Sequence, residues 1–420
     1  VHGTPRANRK SLILDTLSSV SLADPERISR AYPHQLSGGQ AQRVVIAAAL
    51  LLAPKVLIAD EPTTALDVTT QAEILNLIGR LKTERGLGVL FITHDFGVVS
   101  DIADRVAVMK DGQIVEQGPT ADVLSRPGHA YTRKLIAAAQ PTTRKTTAPQ
   151  DQPLLEAEGI SLTYRVGGFL DRREIAAVRN VSLSVSPGKT VAVVGESGSG
   201  KSSLARCLLR LETIDAGAIR FRGTDVTTCT GLPLRSFRKS VQVVLQDPFS
   251  ALNPRQTILG AVAEGPIIHG VSRDAAHRKA RELLEMTGLS AQAADRYPQE
   301  FSGGQRQRIC IARALALEPE VLIADEAVSA LDVSIQAQIL DLFAQMQRAF
   351  GFAMLFITHD LRVARAISDE ILVMKTGEVV ERGPASRVLN APTHPYTRAL
   401  LQSAPGQSFF ALAADQEGAA

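Results

Sequence analysis

The chain has 420 residues, 45% of them hydrophobic and 21% charged, with a formal net charge of +3. It is long enough for two or more domains with their own cores, and too weakly basic for the strong field of a nucleic-acid-binding surface, so no nucleic-acid partner is expected. Three scattered cysteines, Cys207, Cys229 and Cys310, lack a C-x-x-C spacing, which argues against a disulfide framework or a thiolate metal site and suits a reducing cytosol. Cys207 and Cys310 fall in apolar helical patterns and are expected to be buried thiols. The longest apolar run, Val44 to Ala53, is about half of the ~20 residues a membrane span needs. The N-terminus is polar and without a signal-peptide pattern, so any membrane span is expected on another polypeptide.

In chain order, the first motif is Ser37-Gly38-Gly39-Gln40, which opens a helix. Serine is a good N-cap and the glycines leave backbone N–H groups exposed, so the turn reads as a capped structural helix or as an anion site. An apolar run ending in Asp60-Glu61 follows, then Asp67 and His94. The block returns 265 residues downstream: residues 36–75 align with 301–340 without a gap, and 26 of 40 positions are identical, which marks a duplication. Tyr32-Pro33, Gly118-Pro119 and Tyr131-Thr132-Arg133 recur as Tyr297-Pro298, Gly383-Pro384 and Tyr396-Thr397-Arg398. A repeat that long is a duplicated domain, not a solenoid unit. Ala137 to Pro153, rich in Ala, Thr, Pro and Gln, reads as a flexible linker. The expected domains are therefore 1–136, matching only the second half of the duplicated domain, and 154–420, a complete copy. The front of the first copy would fall before Val1.

In the complete copy, Thr190 to Gly195 is a short β-branched apolar run that enters a glycine loop, with a helix expected after Lys201. The loop, Gly195-Glu196-Ser197-Gly198-Ser199-Gly200-Lys201-Ser202, fits the phosphate-loop pattern and continues into Ser203. Its backbone N–H groups can converge on phosphate oxygens at a helix N-terminus, Lys201 adds positive charge, and the Ser202 hydroxyl can ligate Mg²⁺. The stretch 232–300 is richer in helix formers and is expected to be a helical insertion. Within it, Gln246 reads equally as a turn residue or as a group reaching a metal and a water.

Ser302-Gly303-Gly304-Gln305 then repeats the helix-opening turn, with a helical stretch from Ser302 to Leu317. Val321 to Asp325 is a buried-strand pattern ending in Asp325-Glu326. Asp325 is placed to hold Mg²⁺ through water, and Glu326 to polarise an attacking water. A helical stretch Ser334 to Ala349 and a strand Ala353 to Thr358 lead to His359, a candidate γ-phosphate contact that His94 matches in the first copy. His269 and His277 read as surface residues. Alternating strands and helices predict an α/β fold with a mostly parallel sheet covered by helices.

The phosphate loop, Gln246, S-G-G-Q, I-A-D-E, Ala330-Leu331-Asp332 and Ile357-Thr358-His359-Asp360 stand in the order of ABC-type ATPase cassettes, and the chain resembles them over nearly its whole length outside the linker. Leu245 to Pro254, Thr393-His394-Pro395-Tyr396-Thr397 and His129-Ala130-Tyr131-Thr132 resemble the ATP-binding subunits of bacterial dipeptide/oligopeptide importers. That resemblance implies the duplicated P-loop ABC-ATPase fold with a helical subdomain. It also implies ATP and Mg²⁺ as ligands and a peripheral place on the cytoplasmic face of the inner membrane. Permease subunits and a substrate-binding protein would be separate chains, with a permease coupling helix docking near 246–290.

It further implies head-to-tail cassette pairing. Ser37 to Gln40 would face the loop of Lys201, Ser302 to Gln305 would serve the other site, Asp67 and Asp332 would cross the interface, and Tyr164 would stack on adenine or be an ordinary strand residue. Ala327 departs from the family's proline, which Pro62 keeps in the first copy. A soluble twin-cassette ATPase of translation or DNA repair, and a non-functional remnant, are the rival expectations.

Overall fold

The computed structural model describes residues 5–64, 66–139, 152–166, 173–329 and 331–406, which fall into two compact units. The first holds the described residues up to 139 together with 402–406, and the second those from 152 to 401. Most of the expected linker, and Ala330, lie outside the described residues. Ala137 to Ala139, read as linker, instead close the helix Ala130–Ala139.

In the first unit, helices α1 (Arg6–Ser19), α2 (Gly38–Leu50) and α3 (Val68–Arg85) pack with strands β1 (Val56–Asp60) and β2 (Gly88–Ile92). Their core joins Leu17, Ile46, Leu50, Leu57, Ile74, Ile78 and Leu81. β1 and β2 are parallel, while β3 (Arg105–Lys110) and β4 (Gln113–Pro119) form a separate antiparallel pair.

The second unit has two sheets. An antiparallel sheet of order β6-β5-β8-β9 is built from β5 (Leu155–Val166), β6 (Arg173–Val185), β8 (Ala216–Phe221) and β9 (Thr224–Asp225). The main sheet contains β7 (Thr190–Val194), β10 (Val241–Val244), β11 (Val321–Asp325), β12 (Ala353–Thr358), β13 (Glu370–Lys375) and β14 (Glu378–Pro384), in the order β10-β11-β12-β7-β13-β14. All neighbours in it are parallel except β13 and β14. β7 and β12 are buried at every position, as continuous apolar strands covered on both faces must be.

β10 departs from the expectation of a helical insertion over 232 to 300. Its four residues, V-Q-V-V, are too few to show a periodicity, yet they pair with Val321 to Ala324 as the sheet edge. The helical part follows it: α5 (Ile258–Ile268) and α6 (Arg273–Met286) share an apolar cluster with α7 (Gly303–Leu315) through Val262, Leu283, Leu284 and Ile309. His269 and His277, expected at the surface, are half-buried there. Cys207 and Cys310 are buried as expected, and burial pushes both thiols up to about 11. Among the described residues no helix is long and apolar enough to cross a membrane.

Comparing the copies explains the split sheet of the first unit. In the second unit β7, the strand that enters the glycine loop, lies between β12 and β13. Among the described residues of the first unit no strand joins β2 to β3. Val56, Ile58, Leu90 and Ile92 are 60%, 65%, 54% and 45% exposed there, whereas their counterparts Val321, Ile323, Leu355 and Ile357 are all 0% exposed. The latter pack with Val191, Val193, Leu204 and Leu208, from β7 and the helix after the glycine loop. Burying one such side chain stabilises by roughly 1.5–3 kcal/mol, so the first unit leaves a sizeable apolar face without the cover its copy has.

Candidate functional site

Because β10, β11, β12 and β7 run parallel and in register, their carboxyl ends lie on one edge of the sheet. Gln246, Asp325-Glu326, His359 and Gly195 all follow those ends, the usual ligand position in open α/β sheets.

The glycine loop turns from β7 into the helix α4 (Lys201–Leu208). Gly195 and Gly200 have φ of +156° and +102°. A Cβ on Gly195 would stand 2.2 Å from the Met374 carbonyl oxygen, and one on Gly200 would stand 2.2 Å from that of Ala177. Both glycines are therefore required by neighbouring backbone as well as by φ. The Lys201 ammonium is buried and donates to the carbonyls of Gly195 and Glu196, each at 2.8 Å, and to Ser199 Oγ at 3.4 Å. These contacts hold the lysine across the mouth of its own loop. The Ser202 hydroxyl donates to Asp325 Oδ1 at 3.1 Å.

Glu326 is the meeting point of the site. Its backbone has φ of +49°, yet its N–H still donates to the Ile357 carbonyl at 2.9 Å. A left-handed non-glycine residue costs on the order of 1–3 kcal/mol, and the first copy keeps the same feature at Glu61, φ +44°. Gln246 Nε2 donates to Glu326 Oε2 at 3.0 Å, and His359 Nδ1 lies 3.5 Å from the same oxygen. The first copy has the equivalent pair more tightly closed, with His94 Nδ1 2.9 Å from Glu61 Oε1.

Burial pushes the Asp325 carboxyl above the ordinary range, reinforced by the charge of Glu326 and opposed by the Ser202 hydrogen bond. Burial also acts to raise Glu326, but the hydrogen bond and charge of His359, with the charge of Lys201, outweigh it and hold the group below its ordinary value. Glu326 is thus ionised at neutral pH and able to accept a proton. The hydroxyl and carboxylate of Ser202 and Asp325 are hard oxygen donors of the kind Mg²⁺ takes beside phosphate oxygens and water, so the residues present fit that ion.

His359 is flanked by supports whose contacts the sequence does not show. The Asp360 N–H donates to Thr358 Oγ1 at 3.0 Å, and the Asp360 carboxylate caps the next short helix through the N–H of Arg362 at 2.7 Å. The Arg362 guanidinium closes on the same carboxylate at 2.9 Å. Thr358 and Asp360 stand in the I-T-H-D run, but nothing in that run points to Arg362.

The two S-G-G-Q turns are reciprocal capping boxes. Ser37 Oγ accepts from Gln40 N and Ser302 Oγ from Gln305 N, while each glutamine side chain accepts from its serine N–H. Their second glycines have a packing reason: a Cβ on Gly39 would stand 2.4 Å from Thr70 Cγ2, and one on Gly304 2.5 Å from Ile335 Cγ2. Gly38 and Gly303 complete the turns with N–H groups in the first helical residues. Asp67 and Asp332 cap the helices that follow, accepting from Thr70 N and Ile335 N. Tyr164 sits half-buried on β5 against the core, its hydroxyl 3.5 Å from Glu212.

A protein-family model described as "ABC transporter" matches residues 6–64 and 178–329, half of the chain. A second, the "Oligopeptide/dipeptide transporter, C-terminal region", matches twice, at 115–161 and 380–408. The chain belongs to the ABC transporter family, as an ATP-binding protein of the oligopeptide/dipeptide type. It is 47% identical to the glutathione import ATP-binding protein GsiA of Salmonella choleraesuis, over 93% of this chain and 67% of that protein. It is 48% identical to GsiA of Escherichia coli strain K12, with the same coverage. Among solved structures, an ATP-binding cassette dimer in a post-hydrolysis state with ADP and Pi superposes with a TM-score of 0.50 at 29% identity, covering 55% of this chain and 98% of that one. The cbiO1 protein of Clostridium perfringens, part of an ABC transporter complex, gives 0.51 at 25% identity, covering 57% and 92%. The fold is thus the P-loop ABC-ATPase fold, and the activity of the family is ATP hydrolysis coupled to transport.

Proposed function

We propose that this ABC ATPase energises import of small peptides of the glutathione and dipeptide class. It would work at the cytoplasmic face of a bacterial inner membrane, beside separate permease subunits and a substrate-binding protein. The observation that carries this reading is the duplicated match to the oligopeptide/dipeptide region, one in each copy, together with relatives named for glutathione import. Those matches weigh against a soluble ATPase of translation or DNA repair.

In this reading Gly195 to Ser203 bind the phosphates of ATP, and Lys201 leaves its loop carbonyls for the β- and γ-phosphate oxygens. Ser202 and Asp325, with Gln246, would hold Mg²⁺, which would supply charge neutralisation at the phosphates. Glu326 takes the proton of the attacking water. Gln246 and His359 keep its carboxylate aimed, and His359 donates towards the γ-phosphate. Such catalysis rests on positioning and on charge stabilisation.

Ser37 to Gln40 and Ser302 to Gln305, each a capped helix start, would contact nucleotide when cassettes pair, within or between chains. Support for two whole cassettes comes from the exposed face of Val56, Ile58, Leu90 and Ile92, which matches the face that β7 and α4 cover in the second copy. A strand and helix of that kind would cover it in the working protein.

The test is uptake into membrane vesicles that carry the cognate permease and binding protein. Labelled glutathione or a dipeptide is expected to accumulate only with ATP and this subunit present. Steady ATP hydrolysis that no peptide or glutathione stimulates, without uptake, would refute the importer role.

A further inference from the structure

The C-terminal region of the second unit makes a contact that belongs to none of the nucleotide motifs. We propose that Tyr396 is a positioning residue for ATP: its hydroxyl accepts the backbone N–H of Glu196, the second residue of the phosphate loop, at 3.2 Å. The carbonyl of that same residue receives the Lys201 ammonium at 2.8 Å. Glu196 is therefore held on both sides, by the tyrosine through its N–H and by the lysine through its C=O. A shift of this residue moves the tether from which Lys201 must reach the phosphates.

The tyrosine is itself firmly placed. Its ring is 8% exposed and packs with Ala192 and Val194 of β7, and the Lys375 ammonium lies 4.6 Å from the ring centroid. It is the second residue of the helix Pro395–Gln402, and its own N–H donates to His394 Nδ1 at 3.2 Å. The approach to that helix is anchored by Glu381 on β14. This carboxylate accepts the N–H of Thr393 at 2.8 Å, the hydroxyl of Thr393 at 2.8 Å and the N–H of His394 at 3.1 Å. Burial opposes its charge, but these donors hold Glu381 down at about 2, so it stays ionised at any working pH. The first copy repeats the anchor: Glu116 accepts the N–H groups of Gly128 at 2.7 Å and His129 at 3.1 Å. The anchor is thus a module in both copies, and in the second copy the tyrosine it places reaches the phosphate loop. The β13–β14 turn adds a second brace, with the Gly377 N–H donating to the Ser199 carbonyl at 2.9 Å.

The inference rests on the phosphate-loop assignment of Gly195 to Ser202. Ring and hydroxyl are separable, because Tyr396→Phe keeps the packing and removes only the acceptor. A half-buried N–H left without its partner costs enough to shift an equilibrium about five- to tenfold. In the full chain, Tyr396→Phe is expected to lower kcat/KM for ATP by about that factor, with the loss in KM rather than kcat. It should also speed hydrogen exchange at the Glu196 amide, while the unfolding midpoint falls by no more than the few degrees that one lost hydrogen bond costs. Lys201→Ala is the reference. Weakened ATP binding in Lys201→Ala with wild-type KM and exchange in Tyr396→Phe would overturn the role of the tyrosine and leave the site standing. Wild-type ATP binding in both variants would overturn the site and the inference together.

Discussion

Glu326→Gln is expected to abolish turnover while ATP still binds. The substitution keeps the shape of the side chain and can retain a contact with Gln246, but an amide cannot take a proton from water. General-base catalysis contributes typically 10²–10⁴-fold, so phosphate release from the purified chain should fall by about that range. The geometry points to this residue rather than Asp325. The Glu326 carboxylate accepts from Gln246 and faces His359, whereas Asp325 Oδ1 already accepts the Ser202 hydroxyl. Near-normal phosphate release by Glu326→Gln, with normal ATP binding, would remove the glutamate from the role of base.

The second large effect is graded across the glycines of one loop. Gly200→Ala should lose ATP binding by roughly 100-fold or more, because the new Cβ meets both a left-handed backbone at φ +102° and the Ala177 carbonyl oxygen at 2.2 Å. Strain at such a φ costs about 1–3 kcal/mol, and forcing backbone apart in a packed site costs a similar amount. Gly198→Ala, at φ +76° with nothing within 4 Å, carries the strain alone and should weaken binding by roughly tenfold. Titrating both variants with a fluorescent ATP analogue checks the ranking. Equal losses would mean that φ, not the neighbouring backbone, governs the loop.

The parts of the site read directly from the sequence are those whose chemistry fixes a short spacing. Gly195 to Ser202, Asp325-Glu326 and His359 announce themselves because phosphate, metal and proton transfer each demand particular groups a few residues apart. Duplication strengthened the weaker signals, since His94 and Glu61 repeat the His359 and Glu326 pair and the structure joins both pairs. Gln246 stood as an even choice in the sequence, and its bond to Glu326 favours the functional reading.

What stayed hidden was set by tertiary contact. Tyr396 and Glu196 are 200 residues apart, and no local pattern ties them. The edge strand β10 is four residues long and owes its form to pairing with β11. The second glycine of each S-G-G-Q turn reads as an anion-site residue, yet Thr70 and Ile335 give it a packing reason as well. The division of the first unit into two small sheets followed from the absence of a partner strand between β2 and β3 among its described residues, which only the comparison of the copies exposed.

The central claim is that Gly195 to Ser202 hold the phosphates of ATP. Vanadate trapped with ADP in place of the γ-phosphate cleaves neighbouring backbone on illumination, and mass spectrometry locates the cuts. The expected cuts lie within Gly195 to Ser202. Trapped ADP and vanadate with no cut within Gly195 to Ser202 would contradict it.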